Sequence, residues 1–533
     1  MTENKGFSKL FLLIIGLLVG FQIGQWLIPS SSEEFEKVNQ VLELTKQFYI
    51  EEIDPDTLAE SAIEGILSKL DPHSIYIPPD IQRTIEEEFE GSFEGIGVEF
   101  QIIDDTITIV SPIIGTPSDR LGLMPGDRIV KIEDSSAIGF TNAQVVKKLR
   151  GEKGSIVNLT IYRPSVNLEI DYEIERDVIP INSVEISLML QDSVGYVSLN
   201  RFAENTFDEL STALSKLKEQ GMKYILLDLR NNPGGYFEQS VKISDLFISD
   251  DKLIVYTKGR IKEFNEERRA SKSYPYEEMP LIVLINRGSA SASEIVSGAV
   301  QDWDRGLIVG ETSFGKGLVQ RPFILPDNSA LRLTISKYYT PSGREIQKDY
   351  KKSKDYYNEI IVTDDANGDN FDHHFEADST KKSYKTSSGR TVYGGGGITP
   401  DYKISLGTLT NFTAQLRSKN LFYQFIRHQI DTGKLVLTDN QKNDLVTFLK
   451  SDIITEKKLR EFLEYVDSKN ILPNYEEFQK DKEYTAALLK AYIAKEYFNS
   501  KGWYSVLIPQ DEQVQKSLEL LNEAKKMINK NVN

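Results

Sequence analysis

The residues best able to do chemistry lie in one stretch, residues 281–320, which reads LIVLINRGSASASEIVSGAVQDWDRGLIVGETSFGKGLVQ. An apolar run delivers Gly288-Ser289-Ala290-Ser291-Ala292-Ser293-Glu294 at its carboxyl end, and a helix beginning near Ser291 follows. Such a helix start aims unpaired N–H groups and the positive end of its dipole at the turn. A serine hydroxyl there has help in stabilising an oxyanion. The same spacing also suits plain helix capping, with Ser289 or Ser291 as the cap and Ser293 or Glu294 completing it. A serine nucleophile needs a base. The chain has no cysteine and four histidines, His73, His373, His374 and His428, so this stretch contains no imidazole. The candidates within it are Lys316, Glu294, Asp302 and Glu311. Lys316 sits between Gly315 and Gly317 after an apolar strand, where small neighbours let its stem reach back. An apolar pocket disfavours the ammonium form. A neutral amine can take the serine proton and return it to a leaving amine. The alternative is a solvated turn lysine.

Two further stretches offer backbone donors. Asp228-Leu229-Arg230-Asn231-Asn232-Pro233-Gly234-Gly235 ends a strand in a glycine pair that opens a helix. Glycines there permit positive φ and present N–H groups to an anion, as one wall of an oxyanion hole would require; the alternative is a turn and nothing more. Gly95-Ile96-Gly97-Val98, followed by the glycine-rich residues 115–129, suits a loop that holds a peptide's terminal carboxylate beside an exposed strand edge. An ordinary hairpin connection fits the same residues.

These segments need elements to position them, and a chain of 533 residues supplies about three or four units. With 40% apolar and 27% charged residues it is neither wholly disordered nor a polytopic membrane protein. Its 63 basic and 80 acidic residues leave a charge of −17, which argues against nucleic acid as a partner. The lack of cysteine excludes disulfides, thiol catalysis, iron–sulfur clusters and cysteine-ligated zinc, and no HExxH occurs. Residues 1–9 carry Lys5 and Lys9; residues 10–28, LFLLIIGLLVGFQIGQWLI, are long enough to span a bilayer at about 28 Å as a helix. They read as an uncleaved signal anchor, with the remainder outside the cytoplasm; the alternative is a signal peptide removed on export.

Residues 31–90 read as a helical region holding two amphipathic helices, which could pack on each other or on a partner chain. Residues 91–177 form a β-rich module, with candidate strands at 97–103, 106–110, 128–132 and 156–162. From 178 to 347 buried strands alternate with helices, an α/β core. One helix is expected over 206–220, with Thr206 and Glu209 in capping-box spacing. Residues 348–391 are a polar insertion, 392–405 return to the core, and 406–533 form a separate helical region.

Taken together, the chain resembles the C-terminal processing proteases, also called tail-specific proteases. The resemblance rests on an ordered set: LDPHS at 70–74, GIGVEF at 95–100, GLMPGD at 122–127, DLRNNPGG at 228–235, GSASASEI at 288–295, VGETSFGKG at 309–317 and YYTPSGREIQ at 338–347. It implies a protease core of crotonase- or ClpP-like βα units with an inserted PDZ domain at 91–177. It implies Ser291 as nucleophile, Lys316 as base and Gln320 as the residue that orients the lysine. It implies an oxyanion hole from the N–H of Ala292 with Gly234 or Gly235. Gly95, Ile96, Gly97 and Val98 become the PDZ peptide-binding loop, and Arg150 matches an arginine that couples peptide binding to activity. Asp302 matches an acidic position important in the family; we read it as structural, because a carboxylate beside Lys316 would favour the ammonium.

The expected protein is therefore a membrane-anchored serine endopeptidase facing the periplasm that binds protein substrates by exposed apolar C-termini. No metal or organic cofactor is expected, and self-association or an adaptor stays open. Two other classes compete. A non-catalytic PDZ scaffold would not need Ser291, Lys316 and Gln320 together. A serine–lysine acyl hydrolase of cell-wall precursors could use the SxxK of Ser215 and Lys218, but no SDN or KTG partner occurs.

Overall fold

The structure, a computed structural model, describes residues 33–350, 381–405 and 407–531. The expected anchor at 10–28 and most of the polar insertion lie outside these residues. Among the described residues no helix is long and apolar enough to cross a membrane.

The chain divides into two units, Met1–Ile77 and Pro78–Asn533. The described part of the first holds the helices Glu33–Phe48 and Pro55–Leu67 and the strand Ile75–Ile77. Asp54 caps the second helix by accepting from the Thr57 N–H at 3.3 Å, with Pro55 at its first turn. Phe35, Val38, Val41, Leu44 and Phe48 form an exposed apolar stripe on the first helix. The LDPHS turn is built on Asp71, whose carboxylate accepts from the His73 N–H and the Ser74 hydroxyl.

In the second unit, the strands Ser92–Gly95 and Asp177–Pro180 pair antiparallel and form the neck of the β-rich module. Between them lies a sheet of Val98–Ile103, Thr106–Pro112, Arg128–Ile132, Ser135–Ser136, Ile156–Arg163 and Leu168–Glu175. Ile107, Ile109, Ile129, Val157, Leu159 and Ile161 bury its inner face. The helix Asn142–Leu149, held by a Thr141/Gln144 capping box, contributes Val145 and Leu149. Among the described residues Val98–Ile103 pairs on one side only, with Thr106–Pro112, so this strand is an edge.

The α/β core is a six-stranded sheet in the order Val184–Met189, Val194–Leu199, Tyr224–Asp228, Leu281–Ile285, Leu307–Gly310, Tyr402–Lys403. The first pair is antiparallel and the rest are parallel. The central runs YILLD and LIVLI are apolar throughout because both faces are covered. Alternation divides them. Ile225, Leu227, Leu281, Val283 and Ile285 face the helices Thr206–Glu219, Phe237–Asp245 and Ala292–Asp302. Leu226, Ile282 and Leu284 face Ile508, Val514, Leu520 and Ala524. The last two helices, Glu512–Glu519 and Leu521–Asn531, thus lie on the core sheet. The sequence reading set all of 406–533 apart; only the part up to the kinked helix Lys482–Leu507 has its own core, around Phe422, Phe425, Phe448, Phe462 and Leu489. A second antiparallel sheet contains Leu253–Lys258, Glu267–Arg269, Leu318–Ile324 and Ala330–Tyr339.

The expected capping box at Thr206 and Glu209 is absent. Asn205 is the cap residue; the Glu209 carboxylate instead accepts from the Ser183 and Val184 N–H groups, and the Thr206 hydroxyl donates to Ser183. The bend that leaves the β-rich module offers these side chains better partners than the helix end does.

The helical bundle docks on the β-rich module through charge. Lys495 Nζ lies 2.8 Å from Glu99, Lys469 Nζ 2.9 Å from Asp104 and Arg128 Nη2 2.9 Å from Asp431. Behind these, buried Arg427 pairs with Asp431 and Glu496. Gly126 lies flush on that guanidinium: a Cβ there would be 2.4 Å from Arg427 Nη1. Exposed pairs contribute about 0.2–1 kcal/mol each, while removing one partner of a buried pair costs about 3–5 kcal/mol. Asp431→Ala strips Arg128 of its bridge and Arg427 of one. Hydrogen exchange at 98–112 and 421–431 should then accelerate; unchanged protection there would show that charge does not hold the two together.

Candidate active site

The site forms where the strands Tyr224–Asp228, Leu281–Ile285 and Leu307–Gly310 end on the same edge of the parallel sheet. Their loops are stitched together. Asn232 O accepts from the Ala290 N–H at 3.0 Å and the Ser293 hydroxyl at 2.9 Å. The Ser289 hydroxyl donates to Leu229 O at 2.8 Å, and Asn286 Oδ1 accepts from the Asn231 N–H. Ser289 and Ser293 are fully buried in this stitching, whereas Ser291 is half-buried. The structure thus separates three serines that local sequence leaves equivalent.

Ser291 is the residue before the helix Ala292–Asp302, at φ 54° and ψ −110°. A non-glycine residue at positive φ costs on the order of 1–3 kcal/mol and persists only when its neighbours fix it. Two side chains hold its backbone: Glu294 accepts from the Ser291 N–H at 2.8 Å, and the Tyr338 hydroxyl donates to Ser291 O at 3.2 Å. Tyr338 is fully buried, which raises its phenol well above the usual range, so it remains a donor.

Glu294 is the point at which the serine loop meets the lysine loop. Its Oε2 accepts from both the Ser291 N–H and the Lys316 N–H, the latter at 2.9 Å; Oε1 accepts from the Gly315 N–H at 2.7 Å and the Ser313 hydroxyl at 2.5 Å. The backbone nitrogens of Ser291 and Lys316 are therefore no farther apart than two hydrogen bonds laid end to end. The Phe314 N–H adds a bond to Ser289 O at 3.0 Å. Gly315 and Gly317 are glycines for want of room: Cβ atoms there would lie 3.0 Å from Gly397 N and 2.9 Å from Gln347 N.

Gly234 backs directly onto this turn. A Cβ on it would lie 2.8 Å from both Ala290 O and Ser291 Cβ, and 2.9 Å from Ala292 N. Its own N–H donates to Asn232 Oδ1 at 2.9 Å, so of the glycine pair it is Gly235 whose N–H stays available. Among the described residues no hydrogen bond engages the N–H of Gly235 or of Ala292.

The other sequence candidates fall in different places. Gln320 lies on the strand Leu318–Ile324; no hydrogen bond joins it to Lys316, and its Nε2 is buried without a partner. Asp302 is at the far end of the helix Ala292–Asp302, roughly 16 Å from Ser291. It is buried 2.8 Å from Arg344 and accepts from the Ser342 N–H. Glu311 is 3.9 Å from Arg287. His428 lies against Tyr465 in the helical bundle, with ring centroids 5.5 Å apart. Ser215 is on the exposed face of its helix. Among the described residues no cluster of acidic or histidine side chains could hold a metal.

In the β-rich module, Ile96 O and Gly97 O are turned inward, accepting from Ser118 and from Ile113 with Thr116. The N–H groups of Ile96 and Gly97 have no acceptor among the described residues. Gly97 has φ 80°, and a Cβ would strike Thr116 at 2.3 Å. Arg150 is not on this loop. It pairs with Glu87 and lies 4.7 Å over the Phe93 ring. Glu87 belongs to the helix Pro79–Glu90, whose Phe89 packs on Tyr236, the residue after the glycine pair, at 4.9 Å. Sequence reasoning named Glu294 only as a cap or a base and missed Tyr338, Asn232 and Ser313. The S-x-x-E spacing was the one available signal.

Comparison with known proteins bears on these residues. Residues 193–356 match peptidase family S41, 95–174 match the PDZ domain, and 24–80 match the activating protease CtpB N-terminal domain. Residues 412–499 match a family of unknown function. A carboxy-terminal-processing protease of Bartonella bacilliformis is 39% identical over 319 residues, covering 59% of this chain and 73% of its own. The carboxy-terminal processing protease CtpA of Bacillus subtilis is 36% identical over 332 residues, covering 61% and 69%. A probable CtpA-like serine protease of Staphylococcus haemolyticus is 35% identical over 367 residues, covering 66% and 72%.

The packing of Gly234 makes one substitution informative. Gly234→Ala drives a methyl into the Ser291–Ala292 turn at a residue with φ 98°. Peptide hydrolysis should fall by about 100-fold or more, as displacements of about 1 Å do at reacting centres. Circular dichroism should stay native; wild-type turnover would separate this contact from catalysis.

Proposed function

The chain belongs to the carboxy-terminal processing proteases of peptidase family S41, serine-type peptidases with a PDZ domain, and on that premise we propose that Ser291 and Lys316 form its catalytic dyad. The observation that carries this reading is the shared acceptor: residues 291 and 316 donate their N–H groups to one carboxylate oxygen beside two unengaged backbone donors.

Neutral Lys316 takes the proton of the Ser291 hydroxyl as its oxygen attacks the scissile carbonyl. The N–H groups of Ala292 and Gly235 receive the oxyanion of the tetrahedral intermediate. Collapse breaks the C–N bond, Lys316 passes its proton to the departing amine, and the acyl chain remains as an ester on Ser291. Water then attacks that ester with Lys316 again accepting the proton, and collapse frees the acid and the hydroxyl. Gln320, on the strand after the lysine, would orient the amine by turning its side chain towards it.

The substrates are proteins whose exposed, apolar C-termini enter the PDZ domain. The N–H groups of Ile96 and Gly97, with the Gly95–Val98 segment, would take the terminal carboxylate while the substrate tail adds along the edge strand Val98–Ile103. Arg150 would report occupancy to the core through the helix Pro79–Glu90. Residues 10–28 anchor the protein in the inner membrane with the protease on the periplasmic side; release by signal cleavage is the alternative address.

The test uses an unstructured polypeptide substrate whose C-terminal residues are apolar or replaced by charged ones. Ser291→Ala and Lys316→Ala should each lower turnover by about 1,000-fold or more. A charged tail should raise KM without abolishing chemistry. Full cleavage by either variant would eliminate the dyad, and indifference to the tail would eliminate the PDZ role alone.

A further inference from the structure

We infer that Glu294 is a positioning residue for the reaction, the side chain that sets the separation of Ser291 and Lys316; this rests on the dyad proposed above.

A helix-capping glutamate at this position satisfies one donor, the N–H of the residue before the helix. Glu294 satisfies four, and three come from another loop, 313–316. Three of its partners are backbone N–H groups, and the fourth is the Ser313 hydroxyl, which also accepts from the Ile398 N–H at 2.7 Å. Glu294 has no solvent exposure. Burial raises its carboxyl above the usual range, and the hydrogen bonds from Ser313, Lys316, Gly315 and Ser291 act against that rise.

The consequence for the dyad is geometric. Ser291 sits in a strained conformation that relaxes if its N–H is released. Lys316 sits on a loop whose N–H groups at 315 and 316 both point to Glu294. One carboxyl group thus fixes both backbones. Glutamine at 294 has one acceptor oxygen where two are needed; its amide would confront either the Ser291 and Lys316 N–H groups or the Gly315 N–H and the Ser313 hydroxyl. Aspartate keeps the carboxyl and can still cap, but its chain is one methylene too short to hold both loops.

The experiment measures kcat and KM of the full chain with Glu294→Gln and Glu294→Asp on the same unstructured substrate, and the initial rate of Ser291 labelling by a fluorophosphonate. We expect kcat and the labelling rate to fall by about 100-fold, with KM within about threefold and the melting transition of Glu294→Asp close to wild type. Ser313→Ala, which removes one of the four donors, should give a smaller loss in the same direction and serves if both Glu294 variants fail to fold. Folded variants with kcat within about threefold of wild type overturn the inference while leaving the dyad intact, provided Ser291→Ala is inactive. An active Ser291→Ala instead removes the dyad reading itself.

Discussion

A carboxyl taken out of water is tolerated only when its oxygens find hydrogen-bond partners. At Glu294 that requirement organises the site. Four donors must converge on one carboxylate, so the turn at 286–293 and the loop at 313–317 have no freedom to drift apart. The convergence extends outward. Ser313 also receives the Ile398 N–H, and Gln347 Oε1 receives the Gly317 N–H at 2.9 Å. The chain on either side of the polar insertion is thereby fastened to the lysine loop. The parallel sheet supplies the platform and the buried carboxyl supplies the registration between its loops.

Much of this was legible because glycine and serine are restrictive where the backbone turns sharply. The alternation Ser289-Ala290-Ser291-Ala292-Ser293 announced close packing, and the structure shows why: two hydroxyls tie the turn to the facing loop while the middle one remains half-buried. The apolar runs at 225–229 and 281–285 announced buried strands. What failed to show were facts of tertiary pairing. Thr206 and Glu209 have the spacing of a cap, yet their best partners are Ser183 and Val184, distant in sequence. Ile508, Val514 and Leu520 have ordinary helical periodicity, and periodicity does not say which surface a helix covers. Glu294 fits a capping rule, which concealed its second set of partners.

The β-rich module is held at two places of different character. Its neck joins it to the core through a two-stranded ribbon and through Arg150, which grips Glu87 and Phe93. Its outer sheet meets the helical bundle through Glu99, Asp104 and Arg128. The first contact leads by way of Phe89 and Tyr236 to the glycine pair at 234–235. The second is mostly ionic around a buried arginine, and so depends on ionic strength more than an apolar interface does.

Arg230 ties the last segment to the loop that bears the glycine pair, pairing with Asp228 on one side and Asp511 on the other. With Ile508, Val514, Leu520 and Ala524 laid over the sheet, the catalytic platform is closed by residues more than two hundred positions beyond the strands they cover. A nascent chain still lacking them carries Leu226, Ile282 and Leu284 on a bare surface and Arg230 short of one counter-ion. The ribosome must therefore deliver residues 508–524 before the platform can consolidate, which puts maturation of the sheet well after synthesis of its strands.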